Sequence, residues 1–195
     1  MKTSQAVFLD RDGTLNEDVG YPADFRQVHI YPEAFEAVRR LRLAGFATVV
    51  VTNQSGVGRG YFDEDDLRAL HSRFMETFAR RGAPLDGLYH CPHAPAPPER
   101  PACTCAKPRP GLALRAAREL GLDLARSYMV GDKADDILFG LNAGAVPVLV
   151  LTGYGRESAP AIASRGASPA HTAAGILEAA AWIIARGRPH GHGQV

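Results

Sequence analysis

The chain has 195 residues, enough for one globular unit with a sizeable core. Hydrophobic residues make up 46%, which excludes an intrinsically disordered chain, and a formal net charge of +1 excludes a surface built overall to hold nucleic acid or an acidic membrane. Three cysteines cannot all pair within one chain, which excludes a disulfide scaffold, and no apolar run reaches the length of a membrane span. The first residues also lack a long apolar segment of the signal-peptide kind, so the expectation is a cytoplasmic protein with no membrane partner.

The first element is Ala6-Val7-Phe8-Leu9, four apolar residues that read as a strand buried on both faces. It runs into Asp10-Arg11-Asp12-Gly13-Thr14, with two carboxylates one residue apart and a glycine that permits a sharp turn. In an open α/β sheet the carboxyl ends of strands are where ligands sit, and two acids there suit a hard cation such as Mg²⁺. An Asp-Gly turn after a strand is also common loop chemistry, so the string gains weight only from its partners. DRDGTLN resembles the first motif of the haloacid-dehalogenase-like phosphatases. The resemblance implies that Asp10 is a nucleophile and Asp12 an acid/base.

Residues 17–30 are a polar connection resembling the hairpin flap of that family, and this implies that Asp18, Gly20 and Tyr21 face a substrate; an ordinary surface loop fits the same residues. Pro32 opens a predicted helix with Phe35, Val38, Leu41 and Leu43 at near-helical spacing, stopped by Gly45. A second buried strand over 46–51 ends in Thr52-Asn53-Gln54-Ser55-Gly56-Val57-Gly58-Arg59-Gly60. A hydroxyl at a strand end followed by a glycine-rich loop with free N–H groups is suitable for phosphate oxygens. The segment resembles the family's second motif, which implies phosphoryl binding by Thr52 and substrate contacts from Asn53, Gln54, Ser55 and Arg59.

Residues 63–81 read as an amphipathic helix with Asp63 as N-cap and Leu67, Leu70, Phe74 and Phe78 as its apolar stripe; His71 is expected on the surface. A short third strand follows over 85–90. Cys91-Pro92-His93, nine residues, then Cys103-Thr104-Cys105 gathers every cysteine of the chain into one window. Four such ligands fill a closed tetrahedral Zn²⁺ site, and the intervening APAPPERPA cannot build a core of its own, so the expected zinc is structural. A redox pair is a poorer reading because Cys103 and Cys105 are not spaced C-x-x-C. CPH…CTCAKPRPG resembles the zinc loop of the heptose-bisphosphatase and histidinol-phosphatase group within the family. The resemblance implies zinc on Cys91, His93, Cys103 and Cys105, and makes Lys107 the lysine of the third motif. That group often carries an arginine directly before this lysine, where this chain has Ala106; either Arg109 takes over that contact or the specificity differs.

A helix over 111–121, with Leu112, Ala116 and Leu120 inward, leads to a strand over 128–130 and then Gly131-Asp132-Lys133-Ala134-Asp135-Asp136. This resembles the fourth motif, which implies Mg²⁺ held by Asp10, Asp12 through its main-chain carbonyl, and Asp132. Asp136 is expected to orient Lys107 or bound water, Lys133 to meet substrate, and Asp135 to be a helix-start acid. A fifth strand over 146–151 contains Pro147, which suits an edge or a strand start. Thr152-Gly153-Tyr154-Gly155 turns back over the site, a helix covers 173–186, and residues 188–195, with His190 and His192, read as a disordered tail.

Strands and helices alternate throughout, which predicts an α/β doubly wound parallel sheet over residues 1–187, a single domain without a large cap. The resemblance implies a monomeric Mg²⁺-dependent phosphatase acting on a small phosphorylated sugar, a heptose bisphosphate before histidinol phosphate. A DNA 3′-phosphatase shares a similar TNQxG, but near-neutral charge and no attached kinase region argue against it. A non-catalytic zinc-binding protein on the same fold is the reading from another class.

Overall fold

The structure is a computed structural model that describes residues 4–95 and 103–187. Most of the proline-rich insert and the tail predicted from residue 188 lie outside the described residues. Six strands form one parallel sheet in the order β3-β2-β1-β4-β5-β6: β1 Ala6–Leu9, β2 Ala47–Asn53, β3 Gly87–Cys91, β4 Tyr128–Gly131, β5 Val146–Val150 and β6 His171–Ala173. This is the doubly wound arrangement predicted from the alternation of elements, with one strand more.

The side-chain alternation of the central strands explains why the sheet is covered twice. Val7, Leu9, Val50, Val130 and Val148 point to one face, against α1 (Pro32–Leu43), α2 (Glu64–Arg80) and α6 (Ile176–Gly187). Ala6, Phe8, Val49, Val51 and Met129 point to the other, against α3 (Gly111–Leu120) and α4 (Ala134–Ala143). Helix starts follow the local chemistry. Pro32 occupies the first turn of α1, where a missing N–H costs nothing, and Asp63 caps α2 in a reciprocal capping box with Asp66.

Several expectations need correction. Leu43 is 88% exposed because α1 turns it away from the sheet at its last residue, and Leu120, ending α3, is 37% exposed. Of the two places expected for Pro147, the structure has the strand start, since β5 pairs with β4 from Val146 but with β6 only from Val148. The segment after Thr152 forms α5 (Gly155–Ser164), and the edge strand β6 precedes α6; neither was predicted. His71 is buried, at 7% exposure, in line with the apolar stripe of α2.

Among the described residues, the segments that follow β1 and β3 carry one 3₁₀ turn, Phe25–Gln27, and no longer element. The 17–30 segment is pinned as a hairpin at its neck, where Glu17 N–H donates to His29 O (3.0 Å) and Tyr31 N–H to Leu15 O (3.0 Å). Among the described residues no helix is long and apolar enough to cross a membrane.

The core assignment makes a paired prediction. Phe74, fully buried with its ring centroid 4.9 Å from that of Phe78, should lose about 3–5 kcal/mol of stability on change to Ala. Leu43→Ser, on the same side of the sheet but in water, should stay within about 0.5 kcal/mol. Urea unfolding followed by circular dichroism reads both, and equal losses would contradict the packing described.

Candidate active site

β1 lies at the centre of the sheet, beside β4, where the winding direction of the chain reverses. Ligands of such sheets bind outside the strand ends at that point. Asp10 follows β1, Asp132 follows β4 and Asp136 lies in the first turn of α4, so three elements deliver three buried acids to one spot. One oxygen from each of Asp10, Asp132 and Asp136 lies within 4.8 Å of the others. Lys107 enters from the cysteine loop and donates from Nζ to Asp10 Oδ1 (2.6 Å), Asp136 Oδ1 (2.6 Å) and Val51 O (3.0 Å). Its own main chain is clamped by the Asn53 side chain, which accepts from Lys107 N–H (2.9 Å) and donates to Lys107 O (3.1 Å).

Three carboxylates against one ammonium leave negative charge uncompensated in a dry place. Burial pushes Asp10 up to about 8, with Asp136 adding to the rise and Lys107 opposing it. Burial and then Asp136 likewise push Asp132 up to about 6. Burial disfavours the Lys107 ammonium, but Asp10 and Asp136 override it and hold the lysine charged. Asp132 Oδ2 accepts from Tyr154 N–H (2.8 Å), whereas Asp132 Oδ1 is buried without a partner. An orphaned carboxylate oxygen beside two more acids has the donor chemistry of a hard divalent cation site, so the residues fit Mg²⁺. The space around Asp132 depends on glycine: at Gly13 (φ +88°) an added Cβ would lie 2.2 Å from Asp132 Oδ2.

The Asp12 side chain points into a different set of partners. Its Oδ1 accepts from Asn16 Nδ2 (2.9 Å) and Arg11 Nε (3.0 Å), and its Oδ2 from Arg11 Nη2 (2.7 Å) and Gln54 Nε2 (2.9 Å). Burial alone would raise this carboxyl, but Arg11, with the Asn16 and Gln54 hydrogen bonds, outweighs it and keeps Asp12 below the usual carboxylate range. Gln54 Nε2 also donates to Thr52 Oγ1 (2.8 Å), which ties the strand-end hydroxyl to Asp12. Gln54 is thus buried between Asp12 and Thr52. Arg11, with 0% exposure, Asn16 and His71 are residues of this cluster that sequence reasoning missed. The spacing held a signal for the last: His71 is four residues after Leu67 and three before Phe74, on the buried stripe of α2.

At the rim, Asp18 of the hairpin receives a hydrogen bond from Lys133 Nζ (2.7 Å), and Lys133 also lies 5.1 Å from the Tyr154 ring centre. Gly20 is exposed and donates its N–H to Asp18 Oδ1 (2.9 Å). Tyr21 packs edge-on against Tyr61 (4.9 Å), with the Arg59 guanidinium 5.9 Å from the Tyr21 ring. Ser55, Ala106, Lys107, Arg109 and Asp135 share the wall of an open cavity of ≈ 350 Å³ with Asn53. Asp135 pairs with Arg165 (2.7 Å) on the surface, as a helix-start acid does.

β3 ends in Cys91, and the chain brings His93, Cys103 and Cys105 back to it. Cys91 Sγ lies 3.1 Å from Cys105 Sγ, 3.5 Å from Cys103 Sγ and 3.4 Å from His93 Nδ1; Cys105 Sγ lies 3.3 Å from His93 Nδ1. A tetrahedron with legs of about 2.3 Å has edges of about 3.7 Å, so the four atoms are close to the corners of a Zn²⁺ site. Burial pushes the Cys91 thiol up, and its hydrogen bonding with Cys105 adds to the rise. The cluster braces the phosphate-type loop, since Gln54 N–H donates to Cys91 O (2.7 Å) and Gly58 N–H to Pro92 O (2.9 Å).

Comparison with known proteins agrees with this geometry. The HAD-hydrolase-like family profile matches residues 104–179. The chain is 45% identical over 152 residues to the D-glycero-beta-D-manno-heptose-1,7-bisphosphate 7-phosphatase of Pasteurella multocida, covering 76% of this chain and 83% of that protein. It is 40% identical over 185 residues to the D-glycero-D-manno-heptose-1,7-bisphosphate 7-phosphatase of Thermosynechococcus vestitus, covering 91% and 94%. Among solved structures, the D,D-heptose 1,7-bisphosphate phosphatase from B. bronchiseptica, complexed with magnesium and phosphate, superposes with a TM-score of 0.81 at 32% identity, over 93% of this chain and 99% of that one. A parallel sheet that gathers buried acids and a lysine at its strand ends, in a chain this similar to those enzymes, belongs to the haloacid-dehalogenase-like phosphatases, in the heptose-bisphosphatase group.

Proposed function

We propose that this phosphatase removes the 7-phosphate of D-glycero-D-manno-heptose 1,7-bisphosphate through an aspartyl-phosphate, with Mg²⁺ at the acids and structural Zn²⁺ on the cysteine loop. One observation carries the reading: the Asp10–Lys107–Asp136 cluster stands beside Asp132 in a chain 45% identical to an enzyme named for that substrate.

We assign each residue the role that its motif position implies. Asp10 attacks phosphorus in line, forming an O–P bond as the ester O–P bond breaks, which divides one hard displacement into two easier ones. Arg11, Asn16 and Gln54 hold Asp12 as the anion in the free enzyme, so Asp12 takes up a proton as the substrate binds and then gives it to the departing sugar oxygen. A water then attacks the aspartyl-phosphate, Asp12 takes the proton from it, and inorganic phosphate leaves with Asp10 restored. Lys107 and Thr52 hold the phosphoryl oxygens, and Asp136 keeps Lys107 aimed at them through its 2.6 Å bond. Asp10, Asp12 through its main-chain carbonyl, and Asp132 would hold Mg²⁺, which when bound supplies positive charge against the phosphoryl oxygens. That the B. bronchiseptica enzyme was crystallised with magnesium and phosphate supports this assignment. Asp18, Gly20, Tyr21, Asn53, Ser55, Arg59, Arg109 and Lys133 line the approach, and we assign the sugar and its second phosphate to that rim.

Phosphate release with Mg²⁺ should favour a heptose 1,7-bisphosphate anomer over histidinol phosphate; the reverse preference would keep the chemistry and reassign the substrate. Asp10→Asn should reduce turnover by on the order of 10³-fold or more while circular dichroism and zinc content stay unchanged. Near-wild-type hydrolysis by that variant would sink the aspartyl-phosphate route. For the cysteine loop, atomic spectroscopy should find one zinc per chain, and Cys105→Ser should lower both zinc content and melting temperature. A full-length protein that is equally stable without zinc would remove the structural role.

A further inference from the structure

His71 is a buried histidine that no step above uses. It sits in mid-α2, and its Nε2 lies 3.0 Å from Arg11 Nη1. Arginine has only donors, so the imidazole accepts at Nε2 and stays neutral with its proton on Nδ1. Burial, then Arg11, press His71 the same way, down to about 2. The other edge of the Arg11 guanidinium is spent on Asp12 and on Gln54 Oε1 (3.1 Å), and Gln54 bridges Asp12 to Thr52. The chain of contacts therefore runs from α2 through a fully buried arginine to the carboxylate that must meet the leaving oxygen.

We propose that His71 and Arg11 are positioning residues that fix the direction of the Asp12 carboxylate relative to Thr52. The proposal rests on the acid/base reading of Asp12 given above. A guanidinium fork has one favoured bidentate orientation on a carboxylate, but it can rotate about its side chain unless its far end is held. His71 holds that end. Proton transfer to a leaving group falls steeply with small misplacements, so loosening the far end should act on that transfer and not on phosphoryl binding.

Leaving-group dependence separates positioning from a merely structural role. The steps that kcat/KM reports end when the leaving group departs. A sugar alkoxide needs a proton at that moment, whereas p-nitrophenolate does not. His71→Leu should lower kcat/KM for heptose 1,7-bisphosphate by about tenfold and for p-nitrophenyl phosphate by less than about twofold. His71→Gln, which restores an acceptor, should stay within about twofold of wild type on both. Arg11→Lys, which keeps the charge but not the fork, should show the same selectivity as His71→Leu and carries the test if the leucine variant does not fold. Equal losses on the two esters, or no loss on either, would overturn the inference. Asp12→Asn is the reference. If it spares the sugar ester, the acid/base reading itself fails. If it is selective while the His71 and Arg11 variants are not, only the positioning role fails.

Discussion

The ammonium of Lys107, held at 2.6 Å from both Asp10 and Asp136 and 3.0 Å from the end of β2, is the contact on which the rest of the site depends. It joins the ends of β1 and β2, the cysteine loop and α4, segments far apart in the chain. A charge buried this completely is tolerated only with partners in place, so each of these segments must arrive before any of the others is comfortable. That mutual requirement fixes the ends of the strands more tightly than backbone pairing alone. It also accounts for the cysteine loop: Lys107 follows Cys105 by two residues, and its main chain is clamped to Asn53, so the four-ligand cluster determines where the lysine enters.

The topology makes this convergence possible. With β1 central and β4 beside it, the two strands end side by side while the chain winds away from them in opposite directions. Asp10 and Asp132 are therefore neighbours in space though 122 positions apart in the chain, without any long loop having to be ordered to bring them together. The crowded acids sit where apolar strands exclude water, which is why burial is the leading cause of the rise at both. An arrangement that is electrostatically unfavourable by itself is a feature of sites that receive a cation and an anion together.

Much of this was legible in the sequence because it is written in local signals. β1, β2 and β4 are short apolar runs with abrupt polar ends, Asp63 and Pro32 mark helix starts, and the four zinc-type ligands fall in one window. What escaped reading depends on tertiary partners. β6 is three residues long and is a strand only because β5 offers an edge, so no periodicity betrays it. α5 carries Pro160 within it, a residue that argues against a helix when read alone. Arg11 is a charge flanked by two acids, and sequence gives no sign that it turns inward. For His71 the helical spacing pointed inward while the residue type suggested the surface; the partner that reconciles them, Arg11, is sixty positions away.

The site is thus layered by burial. Asp10, Asp12, Thr52, Lys107, Asp132 and Asp136 are all buried: Lys107, on the cysteine loop, bonds Asp10 and Asp136, Gln54 joins Asp12 to Thr52, and Asp132 accepts from the Tyr154 main chain. Residues around these sit on loops: Ser55 and Arg109 face an open cavity, and Tyr21 and Arg59 contact each other across two loops. A change in the outer layer, such as the small Ala106 beside Lys107, alters the cavity wall without breaking any hydrogen bond of the inner one. The inner residues are fixed by strand ends, the cysteine loop and a helix start, whereas the outer ones are held by loop contacts, so a change in the outer layer leaves the inner bonds in place.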